Sequence, residues 1–162
     1  MSREIGKTEI ERIKGEFSDI KERGEEIIRE GTNVDSAIKN INMDGLDPDD
    51  IAAKETAIND YHKDFESEIQ EDVTETTAEV QSDAKSEVAG LESDKSKVDE
   101  AKSEFTNIAG MSEIGSENAD KAASKMEQSS SEYGDIINDG NAAMEKADED
   151  ARNLKAQMGG LL

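Results

Sequence analysis

From Ile51 to Ile108 the chain carries one apolar stripe at helical spacing, with no Pro and no Gly before Gly90. The stripe runs through Ile51, Ile58, Tyr61, Phe65, Ile69, Val73, Val80, Ala84, Val88, Leu91, Val98, Ala101, Phe105 and Ile108. Its steps are three, four or seven residues, the repeat of one helix face, and the alternation by two that a strand requires is absent. This spacing predicts a single very long helix, so the flanking segments must pack against it.

Composition limits how thick such a bundle can be. Of 162 residues, 33% are hydrophobic, 3% aromatic and 37% charged. Low hydrophobicity with high net charge also suits disorder, but these apolar residues are placed periodically, which points to ordered helices. One Pro in the whole chain leaves little to interrupt them.

The net charge of −22 argues against nucleic acid and anionic membrane surfaces, since both repel an acidic protein. It is unevenly spread. Residues 1–31 carry seven Lys/Arg against nine Asp/Glu, whereas residues 44–120 carry six against twenty-three. The acidic middle is either a solvated face or a docking surface for a basic partner. With no Cys there are no disulfides and no thiolate metal sites. MSREIGKTEI has no signal-peptide core, and no stretch approaches the ~20 apolar residues of a membrane span. The expectation is a cytoplasmic protein, or one secreted without a cleaved signal peptide.

Helix one is expected over about residues 2–42, with Ser2 as its N-cap. A three-four seam runs through Ile10, Ile13, Phe17, Ile20, Gly24, Ile27, Gly31, Val34, Ile38 and Ile41, the pattern of a coiled coil or long bundle. Gly24 and Gly31 each cost roughly 1 kcal/mol of helix stability relative to Ala, so their seam positions imply close approach by a neighbouring helix. A break at Gly31–Asn33 is the alternative, but the seam keeps its phase across it.

Asn42 to Asp50 then forms the first reversal. Asp44-Gly45 suits a turn, Asp47 a cap, Pro48 the first helical position, and Asp49 and Asp50 the positive helix start. Helix two is expected over about 48–109. Its stripe drifts in the middle (Phe65, Ile69, Val73, Thr76, Val80, Ala84, Val88), which would straighten a supercoil. Gly110–Gly115 forms the second reversal, with Ser116 as a cap. Helix three, about 116–158, carries Met126, Tyr133, Met144, Leu154 and Met158, with a weak point at Asn138–Asn141 and an end at Gly159-Gly160. The fold class is therefore all-α, an elongated antiparallel three-helix bundle or coiled-coil rod about 90 Å long at 1.5 Å per residue.

Folding back near residues 45 and 112 places Phe17 opposite Val73, Ile10 opposite Val80, Tyr133 opposite Leu91, and Leu154 opposite residue 71. All three helices overlap from roughly 63 to 88. Beyond that only two meet, so their apolar stripes are incompletely covered and another chain could add helices there. The candidate packing and partner residues are Ile10, Ile13, Phe17, Ile20, Ile27, Ile58, Tyr61, Phe65, Leu91, Val98, Phe105, Met126, Tyr133, Met144, Leu154 and Met158.

Nothing points to catalysis, and no cofactor motif is present. His62 is the lone histidine and sits among acidic helical neighbours as an incidental surface residue. No phosphate loop, nucleophile elbow or HExxH appears. Asn40, Asn42, Asp44 and Gly45 resemble the opening of a calcium loop, but its twelfth position is Ile51 where a bidentate Glu belongs. Plain turn chemistry is the simpler account. The methionines of helix three read as gap fillers or as an adaptable partner surface.

Two segments, Gly31–Asp83 and Ser103–Met158, follow a plan of acidic, Ala- and Ile-rich helical hairpins. In this the chain resembles the WXG100-like and LXG-associated helical proteins of type VII secretion. It departs from them in having no Trp, and no Tyr-x-x-x-Asp/Glu, since Tyr133 is followed by Ile137. The resemblance implies a non-enzymatic adaptor or companion that pairs with another helical protein, such as a toxin's N-terminal helical domain. The residues alone also allow a self-associating coiled-coil spacer, or an acidic calcium-binding protein.

Overall fold

The computed structural model describes residues 2–161, with the Ser2 side chain, and hence its expected capping role, outside the described atoms. The fold is an all-α helical bundle. Its elements are α1 (Ser2–Lys39), α2 (Pro48–Ile69), a π-helical turn (Gln70–Glu75), α3 (Thr76–Met111) and α4 (Ser116–Leu161). The second, third and fourth of these join into one helix of 64 residues, as the unbroken stripe requires.

The chain divides into two compact units. Unit one comprises α1 as far as Lys14 together with Gln81–Met144, and unit two comprises Gly15–Val80 together with α4 from Glu145 onward. In unit two, α1 runs antiparallel to α2: Asp35 faces His62, Gly31 faces Phe65 and Gly24 faces Val73. Leu154 of α4 completes that last layer. In unit one, Gly6 faces Leu91, while Ile10 and Val88 both pack on Gly140. The core is the seam itself. Ile10 and Ile13 in unit one, and Ile27, Ile69, Val73 and Leu154 in unit two, are almost wholly enclosed.

These contacts shift the expected register. Val73 lies opposite Gly24 rather than Phe17, one heptad away, and Ile10 meets Val88 rather than Val80. The reason is the path of the first connection. Helix α1 stops at Lys39, short of the expected residue 42, because the Lys54 ammonium binds the carbonyls of Lys39 (2.8 Å) and Ile41 (3.1 Å). The chain then climbs beside the first turns of α2 before reversing. Gly45 supplies a positive φ of 76°, and the Asn42 side chain accepts the Asp44 N–H at 2.9 Å. Asp47 caps α2 as expected: its own N–H donates to the Asp50 carboxylate at 3.1 Å, the reciprocal arm of a capping box.

The second reversal is tighter than expected. Gly110 remains helical, and the turn is made by Ser112 to Gly115, where φ is 79°. Ala119 N–H bonds to the Gly115 carbonyl, so Gly115 is the cap and Ser116 the first helical residue. Unit one accordingly pairs Lys95 with Gly134, about one turn from the expected register.

Helices α1 and α4 pass through Gly31 and Gly140 without a break, because each glycine is filled by a neighbour. A Cβ at Gly31 would lie 3.1 Å from the Phe65 ring, and one at Gly140 would lie 2.9 Å from Val88 Cγ2. Gly159-Gly160 does not end α4, which continues to Leu161 with neither glycine at positive φ. Leu162 lies outside the described residues.

The drift in helix two has a local form. Buried residues fall at Phe65, Ile69, Val73 and Thr77, then at Val80, Ala84, Val88 and Leu91. Three successive steps of four over-rotate an α-helical stripe by about 120°. A π turn holds one more residue per turn and takes that rotation back. Thr76 Oγ1 donates to the Glu71 carbonyl at 3.1 Å, five residues back, satisfying an acceptor in the widened turn.

Candidate interaction surface

Past its three-helix layers, each unit tapers to a pair of helices. In unit two this pair is the end of α1 with the start of α2. Phe65 closes on Gly31, and the next inward position of α1 is a carboxylate, Asp35, only 5% exposed. His62 Nε2 lies 2.8 Å from Asp35 Oδ1, and Lys39 Nζ lies 2.7 Å from Oδ2. Lys39, and after it His62, hold the Asp35 carboxyl below its ordinary range, against the opposing effect of burial. His62 is therefore not the incidental surface residue expected from its neighbours: its side chain is 14% exposed and joins two helices. Sequence offered one signal for this cluster, the i,i+4 spacing of Asp35 and Lys39. Outward of it, Ile41, Leu46, Ile51 and Tyr61 are between 41% and 54% exposed.

In unit one the pair is the end of α3 with the start of α4. Polar contacts join them. The Ser130 hydroxyl donates to Asp99, Lys95 binds the same carboxylate at 3.1 Å, and Lys102 pairs with Glu127. Ser130 first, then Lys95, lowers the Asp99 pKa. At the tip, Ile108, Met111 and Ile114 are 51%, 81% and 92% exposed. Met111 and Ile114 lie in or beside the turn, off every periodic stripe, which is why spacing did not single them out. The signal was two large apolar residues among turn formers.

The expected partner residues divide cleanly. Ile10, Ile13, Phe17, Ile20, Ile27, Phe65, Leu91, Tyr133, Leu154 and Met158 are buried in the chain's own core. Ile58, Val98, Phe105, Met126 and Met144 are half-buried, and Tyr61 is exposed with its ring 6.1 Å from that of Phe65. Of the expected residues only this second group is accessible, beside the exposed Ile5, Ile41, Leu46, Ile51, Ile108, Met111 and Ile114.

A further concave surface is lined by charged groups that are partly paired with one another. A groove in unit one between α1 and α4 is lined by Arg3, Lys7, Glu11, Glu132 and Asp139. Arg3 is already 2.9 Å from both Ser129 and Glu132, and Lys14 binds Asp139. Among the described residues, no group of three or more His, Asp or Glu is arranged to hold a metal ion. In the Asn40–Asp50 segment the Asn42 side-chain oxygen accepts the Asp44 N–H, the chemistry of a plain turn. No described helix is long and apolar enough to cross a membrane. Compared with protein-family models, with curated proteins and with solved structures, the chain matches none.

Proposed function

We propose that this protein is a non-enzymatic helical adaptor that pairs with another helical protein through the two-helix ends of its units. The observation that carries this reading is where the large apolar residues are exposed. Among the described residues, seven of the eight (all but Ile5) fall in the two-helix ends or their reversals: Ile41, Leu46, Ile51, Tyr61, Ile108, Met111 and Ile114. Solvated apolar groups gathered in this way are favoured as association sites, and added helices would bury them as the three-helix layers bury Ile13 or Val73. The resemblance to type VII secretion proteins supplies a class of partner, the helical N-terminal domain of a toxin.

Photo-crosslinking in the native host tests this. A photoreactive residue replacing Ile51 or Met111 should form adducts with a different protein, mapped to a helix of that protein. The same residue at Glu22, on the outer face of α1, should not. Adducts only between copies of this chain would instead make it a self-associating spacer, and no adduct at either end would remove the reading.

A further inference from the structure

Resting on that proposal, we infer that the α1–α2 end of unit two docks a basic amphipathic helix. Ile51, Ile58 and Tyr61 lie on one stripe of α2, at spacings of seven and three. The connection before α2 adds two exposed apolar residues, Leu46 next to the cap and Ile41, whose carbonyl is held by Lys54. All five are exposed or half-buried, so the anchors of an amphipathic helix find apolar seats along roughly 15 Å of α2 and at the connection before it.

Charge selects among possible occupants. From Asp44 to Glu66 there are eight Asp/Glu against Lys54 and Lys63 alone. Lys54 is held against the carbonyls that end α1, and acidic groups outnumber basic ones four to one along this rim. The other open end is less acidic: from Lys97 to Glu127 there are seven Asp/Glu against four Lys, two of them paired, Lys102 with Glu127 and Lys121 with Glu117. A second copy of this chain seated on the α1–α2 end would set like charge against like charge, as would an anionic bilayer or a nucleic acid. A helix with aliphatic anchors on one face and Lys or Arg flanking them satisfies stripe and rim together. It would continue the line of α4 along α2, beyond the cleft that Glu66, Ile69 and Gln70 share with Lys155 and Met158 of the last turns of α4.

Fluorescence anisotropy on the full chain tests this with three labelled peptides of about nineteen residues. The first has Leu at heptad core positions and Lys or Arg flanking them, the second replaces its basic residues by Glu, and the third scrambles the first. The basic amphipathic peptide should bind, at least tenfold more tightly than either of the others. Its affinity should fall at least tenfold between 50 and 500 mM salt. Ile51→Glu should weaken it tenfold or more with an unchanged helical spectrum, and Met111→Glu should leave it within twofold. Equal binding of the scrambled peptide would reduce the surface to a diffuse anionic field and overturn the inference. So would binding indifferent to Ile51→Glu, or a dimer of the free chain that Ile51→Glu dissolves. If the peptide fails while heterologous crosslinks from Ile51 or Met111 persist, this inference is lost and the adaptor reading stands. Loss of both ends both.

Discussion

His62 Nε2 approaches Asp35 Oδ1 to 2.8 Å at a position where the seam of α1 would otherwise present an aliphatic side chain to α2. A buried carboxylate is costly unless paired and hydrogen-bonded. Here Lys39 and His62 take one oxygen each. Such clusters contribute little net stability, yet removing one member strands the others. Asp35→Ala should therefore cost about 1–3 kcal/mol, read as a fall in Tm of roughly 2–4 °C per kcal/mol. Replacing both faces, Asp35→Leu with His62→Leu, should recover most of that loss or exceed wild type. A double variant no more stable than Asp35→Ala would show that the cluster stabilises the pair outright.

The same carboxyl sets an acid limit. Its folded-state pKa is depressed, so its contribution is fully present above the unfolded value near 3.8 and is lost as pH falls through the lower folded value. The Tm gap between wild type and Asp35→Asn should accordingly hold its size from pH 5 down to about 4, then close towards pH 2.5. Melts across that range check it. A gap that stays constant to pH 2.5 would mean that the charge on Asp35 is not what the fold uses.

Two glycines of α1 make opposite predictions. A Cβ at Gly15 meets nothing within 4 Å, whereas one at Gly24 would lie 2.5 Å from Leu154 Cδ1 and 3.0 Å from Val73 Cγ2. Gly15→Ala should gain about 0.5–1 kcal/mol from helix propensity alone. Gly24→Ala gains the same but overpacks a filled layer, at a cost of about 1–3 kcal/mol. The expected order of Tm is Gly15→Ala, wild type, Gly24→Ala. Gly24→Ala with Leu154→Val should lose less than the two changes summed. An equal gain at both glycines would mean that the Gly24 layer has slack.

How far the sequence could be followed depends on what periodicity encodes. The seam from Ile10 to Ile27 and the boundary at Asp47-Pro48 were legible, because heptad spacing and cap chemistry are local. The one-heptad register error was built into the same signal. A seam that repeats every seven residues fits nearly as well after sliding by seven, so only the course of Asn40–Asp47, pinned by Lys54, decides the register. Asp35 was missed because apolar patterns favour Val34, while burial of the carboxylate depends on a histidine 27 residues away. The open ends were foreseen from the mismatch of helix lengths, but Leu46, Met111 and Ile114 were not, being outside any stripe.

The π turn is the most direct test of how sequence spacing and backbone geometry trade against each other. If Gln70–Glu75 exists to absorb the four-four-four run from Phe65 to Thr77, then deleting Glu71 should let the helix pass through in plain α geometry. Val73 and Thr77 would each move one residue closer to Ile69, restoring alternate steps of three and four, and the stripes on both sides would stay in phase. Glu71 is exposed, so its side chain takes nothing from the core. The deletion should fold cooperatively, with a Tm within about 5 °C of wild type, a difference of no more than about 1–2 kcal/mol. Ser86 is equally exposed but lies in regular α3. Its deletion rotates every later seam residue of that helix by about 100°, turning Val88 and Leu91 away from Ile10 and Gly6. That variant should lose cooperative melting altogether. If deletion of Glu71 is as damaging as deletion of Ser86, the π turn is held by something other than the phase of the stripe, and the explanation given for the widened turn fails.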